Sequence, residues 1–210
     1  MADWESKVTI VTGAGTGIGE SIARSFAERG AKVALVGRRR EKLEDAAAGL
    51  PEANVMICPC DISDRDSVNQ LAARVAEQFG TINTLVNNAG INTIKRSLSN
   101  VEPEDWDRIV TINLTGAFNC FRVVLPGMQE NKEGLVINVA SIAGLRAGKL
   151  SGAAYVASKH GMVALSHQIN VEESENGIRA TVICPGEVET PILDRRQNPV
   201  SAEHRARILQ

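Results

Sequence analysis

Tyr155 and Lys159 stand four residues apart in "AAYVASKHGM", a stretch that holds the chain's only tyrosine. In a helix, that spacing puts both side chains on one face. A phenol ordinarily ionises near pH ~10, and an adjacent cation favours its phenolate form. Such a pair can give a proton to a carbonyl oxygen or take one from an alcohol. A second chemical feature is "TGAGTGIG", residues 12–19. Gly13 can take the backbone angles of a tight turn. Gly17 and Gly19 allow close approach of the backbone to a pyrophosphate, and free N–H groups at a helix start can hold phosphate.

Both features need a scaffold, and the chain's patterning predicts one. Short runs rich in Val and Ile alternate with longer amphipathic segments. The runs are "KVTIVTG" (7–13), "AKVALVG" (31–37), "NVMICPC" (54–60), "NTLVNNAG" (83–90), "GLVINVAS" (134–141) and "IRATVICPG" (178–186). They lack strict alternation, as strands covered on both faces do. Helical patterns fall between them, at 18–29, 40–50, 64–79, 103–129 and 153–173. The β-α alternation predicts a Rossmann-type, doubly wound parallel sheet in three α/β/α layers. One domain is expected over 1–210. The longer connections, 91–102 and 141–152, follow strand carboxyl ends, where open α/β sheets bind ligands.

The chain has 210 residues, 43% of them hydrophobic and 23% charged, with a net charge of −2. That balance offers no basic field for nucleic acid or an anionic membrane. No apolar run reads as a transmembrane span. The N-terminus lacks a secretion-signal layout, and a cytoplasmic location is expected. Cys58 and Cys60 form a C-x-C pair with no second pair or histidine nearby, so no metal is expected. The cysteines read as reduced, mostly buried thiols.

The glycine spacing G-x-x-x-G-x-G, with its preceding threonine, resembles that of the classical short-chain dehydrogenase/reductase family, close to its 3-oxoacyl-thioester reductases. The resemblance continues through "NNAG" (87–90), Asn113 in "TINLTGAF", Ser141 in "INVASIAG", "YVASK" (155–159) and "PGEVETP" (185–191). It implies an oxidoreductase that passes a hydride between a nicotinamide cofactor and a carbonyl or secondary alcohol. Tyr155 would be the general acid/base, and Ser141 would bond the substrate oxygen. Lys159 would also hold the nicotinamide ribose, and Asn113 would help hold a proton-relaying water. Asn113 could instead satisfy backbone groups at a kink, which the glycine and threonines around it favour. The resemblance further places Gly13, Thr16, Gly17, Ile18 and Gly19 at the pyrophosphate, and Asp61 and Ile62 at the adenine. Asn88, Ala89 and Gly90 would run along the cofactor, followed by Pro185, Gly186, Val188 and Thr190 at the nicotinamide. Asp61 could also be a helix cap in "DISD", and the two roles could coexist.

An NAD site normally carries an acid at the end of the second strand. Here Gly37 takes that place, followed by Arg38 and Arg39. A guanidinium can bind a 2′-phosphate, so NADP(H) is expected over NAD. The other reading pairs these arginines with Glu41 or Glu44 at a solvated helix entrance. His160 and His167 read as surface or packing residues. Trp106 is expected to anchor the start of the long helix, with Pro103 at an early helical position.

Relatives of this layout carry one more strand after a helical substrate lid, whereas this sequence ends at Gln210. The expectation is a sheet without its last strand, an exposed edge near 180–184, and a lid that starts at 187–210. A homodimer is expected through the helices near 105–129 and 153–173, and a homotetramer only for a longer chain. The partner is a small-molecule carbonyl or alcohol, with no nucleic acid and no membrane. The alternative is a catalytically silent NADP-binding or interaction module.

Overall fold

The computed structural model describes residues 4–188. Thr190 and most of the expected lid lie outside them. Six parallel strands form one sheet in the order β3-β2-β1-β4-β5-β6: β1 Val8–Thr12, β2 Lys32–Gly37, β3 Val55–Pro59, β4 Ile82–Asn87, β5 Gly134–Val139 and β6 Ile178–Ile183. The strand order reverses between β1 and β4, the usual ligand crevice of such sheets.

The central strands match the patterning argument. β1 is buried along its whole length, and β2 and β4 nearly so. β3 and β6 alternate instead, because an edge strand is only partly covered. β6 ends the sheet among the described residues, with Ile183 exposed there.

The helices are α1 Gly17–Glu28, α2 Arg40–Ala47, α3 Arg65–Phe79, α4 Pro103–Val110, α5 Gly116–Asn131 and α6 Ala153–Glu173. Helices α1 and α2 pack Ala23, Ala27, Leu43 and Ala46 against Val11, Val33, Leu35 and Val86. The opposite sheet face meets Val68, Leu71 and Val75 of α3, and Phe121, Val124 and Met128 of α5. Full burial of each Val, Leu, Met or Phe side chain among these contributes about 1.5–3 kcal/mol.

Pro103 starts α4, as its missing N–H allows. Trp106 does not anchor that start: it is exposed, and Ile109 is the buried residue of α4. Between α4 and α5 the backbone widens into one π-helical turn, Thr111–Thr115. The run Pro103–Asn131 is long and apolar enough to cross a membrane, unlike any segment expected from the sequence. Half of its most apolar window is buried inside the fold, as in a core helix. Cys58, Cys60 and Cys120 are buried free thiols, and burial pushes Cys58 up to about 11.

Candidate active site

The glycine turn is built by mutual contact between the ends of β1 and β4. Gly13 has φ +66°, and a Cβ there would lie 2.9 Å from the Ala89 Cα. A Cβ on Gly19 would collide with the Gly13 carbonyl oxygen and the Asn88 amide, so α1 could not seat on the sheet. Thr12 Oγ1 donates to Val86 O and accepts from the N–H groups of Asn88 and Ala89. Asn88 Nδ2 donates to Thr12 O at 3.0 Å. Thr16 caps α1 by backbone only, with no side-chain bond to the first-turn N–H groups. Those donors, at the positive end of a twelve-residue helix, suit an anionic group.

A cavity of about 750 Å³ opens over this turn and runs to the start of α6. Thr16, Gly17 and Ile18 line it with Gly13, and so do Asp61, Ile62, Asn88, Ala89 and Gly90. Its far end carries Ser141, Tyr155, Lys159, Pro185, Gly186 and Val188. Gly19 and Asn113 lie behind the wall: Gly19 packs the helix, and Asn113 is fully buried. The cavity therefore joins the glycine turn to the Tyr155–Lys159 pair.

Arg38 and Arg39 are exposed at the glycine-turn end and line the cavity. The helix-entrance ion pair falls to their neighbour, with Arg40 Nη1 3.6 Å from Glu44. Burial alone would raise the Asp61 carboxyl. The Ser63 hydroxyl and N–H, bonded to Asp61 Oδ1 at 2.6 and 3.0 Å, and the Arg38 charge outweigh it and hold Asp61 below its usual range. Asp61 is not the helix cap: Asp64 caps α3 by accepting from Asp66 N.

At the other end, Lys159 Nζ donates to Val139 O at 2.8 Å and lies 5.7 Å from the Tyr155 ring centroid. Burial pushes Lys159 down to about 8, with Cys184 pulling slightly the other way. Burial also raises the Tyr155 phenol, against a Ser141 hydrogen bond and the Arg96 charge, which both lower it. The phenol is thus held protonated rather than as phenolate, because desolvation outweighs the nearby charge. Ser141 Oγ accepts from Ala143 N at 3.2 Å, which leaves its proton to donate.

Asn113 sits in the π-helical turn. Its Oδ1 accepts from Ile91 N at 2.8 Å, and its Nδ2 donates to Ile91 O at 3.0 Å and Ser158 Oγ at 3.1 Å. A Cβ on Gly90 would meet Asn113 Oδ1 at 3.4 Å and Lys159 Nζ at 3.5 Å, so both side chains border that glycine. His160 and His167 are exposed, with His160 Nδ1 2.9 Å from Val156 O in its own helix.

Several supports were not visible in the sequence. Asn87 Nδ2 donates to Asn138 Oδ1, whose own amide donates to Ser166 Oγ on α6. Arg96 is buried in the cavity wall, and its Nη1 donates to Leu150 O at 3.1 Å. Asparagine inside the apolar run "GLVINVAS" was the available signal for Asn138. Arg96 gave none, because its importance depends on which loops meet.

A short-chain dehydrogenase family model matches residues 7–200. A 3beta-hydroxysteroid dehydrogenase of Mediterraneibacter gnavus is 37% identical over 197 residues, covering 93% of this chain and 71% of that protein. The crystal structure of a 3-ketoacyl-(acyl-carrier-protein) reductase from Brucella melitensis, complexed with NADH, superposes with a TM-score of 0.86 at 34% identity. It covers 90% of this chain and 79% of that one. A metagenomic short-chain oxidoreductase in complex with NADP gives 0.81 at 34% identity, covering 89% and 85%.

Proposed function

The chain belongs to the short-chain dehydrogenase/reductase family of oxidoreductases, and we propose that it interconverts a carbonyl and a secondary alcohol with NADP(H). One observation carries this reading: Ser141, Tyr155 and Lys159 line the same cavity as the glycine turn. The bound nicotinamide supplies or accepts the hydride. Tyr155, held protonated, gives its proton to the carbonyl oxygen as that oxygen gains charge. Ser141, its oxygen already bonded to Ala143 N, turns its O–H to the same atom. Lys159, with its Nζ 5.7 Å from the Tyr155 ring centroid, favours the phenolate left when that proton is given up, and its burial keeps the ammonium easy to deprotonate. Asn113 holds the Ile91 backbone beside Gly90 and borders the route to Lys159.

The choice of NADP(H) rests on Arg38 and Arg39, which stand at the cavity end beyond Gly37 while Arg40 takes Glu44. Pairing as a homodimer is part of the same proposal, supported by exposed Phe118 on α5 and Val171 on α6. NADPH oxidation measured against a panel of ketones and 3-oxoacyl thioesters tests the activity. Turnover with at least one member is expected. Tight NADPH binding without turnover on any member would favour a catalytically silent module instead.

A further inference from the structure

Seven cationic and two acidic side chains line the cavity, in a chain whose net charge is −2. The cofactor takes Arg38 and Arg39 at one end and Lys159 at the other, and Lys42 is paired with Asp45 at 2.9 Å. Three cations are left over: Arg96, Arg146 and Lys149. All three line the wall contributed by the two long connections, and Glu187 is the acid facing that end among the described residues. Arg146 and Lys149 are exposed to the cavity mouth and make no ion pair or side-chain hydrogen bond among the described residues.

The segment that carries them is fixed. Arg96 Nη1 donates to Leu150 O at 3.1 Å, Asn92 Nδ2 to Ser151 O at 3.0 Å, and Ala153 N to Arg96 O at 3.2 Å. These bonds fasten the connection after β5 to the connection after β4, immediately before the helical turn that bears Tyr155. Cations on a braced wall of a cleft focus field into it, whereas the same charges on open surface would be screened.

We infer that the substrate carries an anionic group, a carboxylate or a phosphate, which Arg146 and Lys149 bind while its carbonyl faces Tyr155. The inference rests on the carbonyl-reducing reading of the site and narrows its substrate class. The Arg96 charge, already felt at Tyr155, adds to the same field. A planar guanidinium beside an ammonium suits either anion, through charge-assisted hydrogen bonds.

The test uses matched pairs: short-chain oxo acids with their methyl esters, and oxo-sugar phosphates with their dephosphorylated forms. Wild type should favour the charged member in kcat/KM by about tenfold or more, and 0.5 M salt should raise KM for that member alone. Arg146→Gln with Lys149→Gln should bring the ratio towards unity, whereas Arg179→Gln, on exposed β6 outside the cavity, should leave it. Calorimetric binding of the oxo acid and its ester to the NADP-loaded protein should show the same preference. Which kind of pair shows the larger ratio separates carboxylate from phosphate. Turnover of neutral members with no preference for charge, or a preference that survives the double substitution, overturns the inference and leaves the carbonyl-reducing reading intact. Failure of every member to turn over despite tight NADPH binding removes both.

Discussion

The Lys159 ammonium stands 5.7 Å from the centroid of the Tyr155 ring, and its nitrogen is bound to the Val139 carbonyl rather than to the phenol oxygen. One helical turn sets the pair on a common face, and the end of β5 then fixes where the ammonium points. The sequence led us to expect a phenol pulled down by its cation. In the folded chain burial acts on both groups, raising the phenol and pushing the ammonium down to about 8. A protonated phenol is the form needed for reduction of a carbonyl.

Tyr155→Phe removes the hydroxyl and keeps the ring. Turnover should fall by about 10²–10⁴-fold, the usual contribution of a positioned acid. NADPH affinity should stay near that of wild type, because the glycine turn and Arg38 are untouched. Steady-state rates and fluorescence titration with NADPH check both halves. Retained turnover would remove Tyr155 from the chemistry.

Burial of Lys159 also makes the fold's stability depend on pH. Its ordinary pKa is 10.5 and its folded one about 8. Below pH ~8 both folded and unfolded chains hold the proton, so the cost of burying the charge is fully felt. Between ~8 and ~10.5 the unfolded chain binds more protons, and this group's contribution to stability rises with pH. Relative to Lys159→Met, wild type should therefore gain stability from pH 7.5 to 9.5 in urea unfolding. A difference that stays flat across that window counts against the buried, easily deprotonated ammonium.

Arg38 and Arg39 stand at the cavity end where β2 finishes, with no carboxylate of α2 paired to either among the described residues. Their joint replacement by alanine should weaken NADPH by about 10–100-fold, the size of one or two lost hydrogen bonds to a charged group. NADH, which lacks the 2′-phosphate, should change little. Equal losses for the two cofactors, measured by titration, would defeat the NADP(H) assignment.

The sheet could be read from the sequence because its physical cause is local: Val- and Ile-rich runs separated by amphipathic periods leave few alternatives. Gly13 and Gly19 were legible from the spacing of the turn alone, although the contacts that require them come from Asn88 and Ala89 after β4. Asn113 was half legible. Threonines and a glycine around it suggested a distorted helix, but not that the distortion is a π turn clamping Ile91. Arg96 and Ser158 were not legible, because each matters through a partner 54 or 45 residues away. Trp106 was misread because a large aromatic near a helix start suggests burial, while Ile109 takes the inward face.

Asn113 is fully buried and serves three bonds, two of them to the backbone of Ile91, while Ser158 contributes one bond to Asn113 and one to Tyr155 O. Asn113→Ala orphans both the N–H and the C=O of Ile91 in a part-buried place. Each orphaned group costs about 1–3 kcal/mol. Ser158→Ala removes a hydroxyl from a site where Tyr155 O keeps its helical partner, so it should cost about 1 kcal/mol or less. Urea unfolding should rank Asn113→Ala well below Ser158→Ala, and the first should also lower turnover by loosening the loop beside Gly90. Equal costs would mean that Ile91 finds other partners when the asparagine is gone, and that the π turn is not held by this amide.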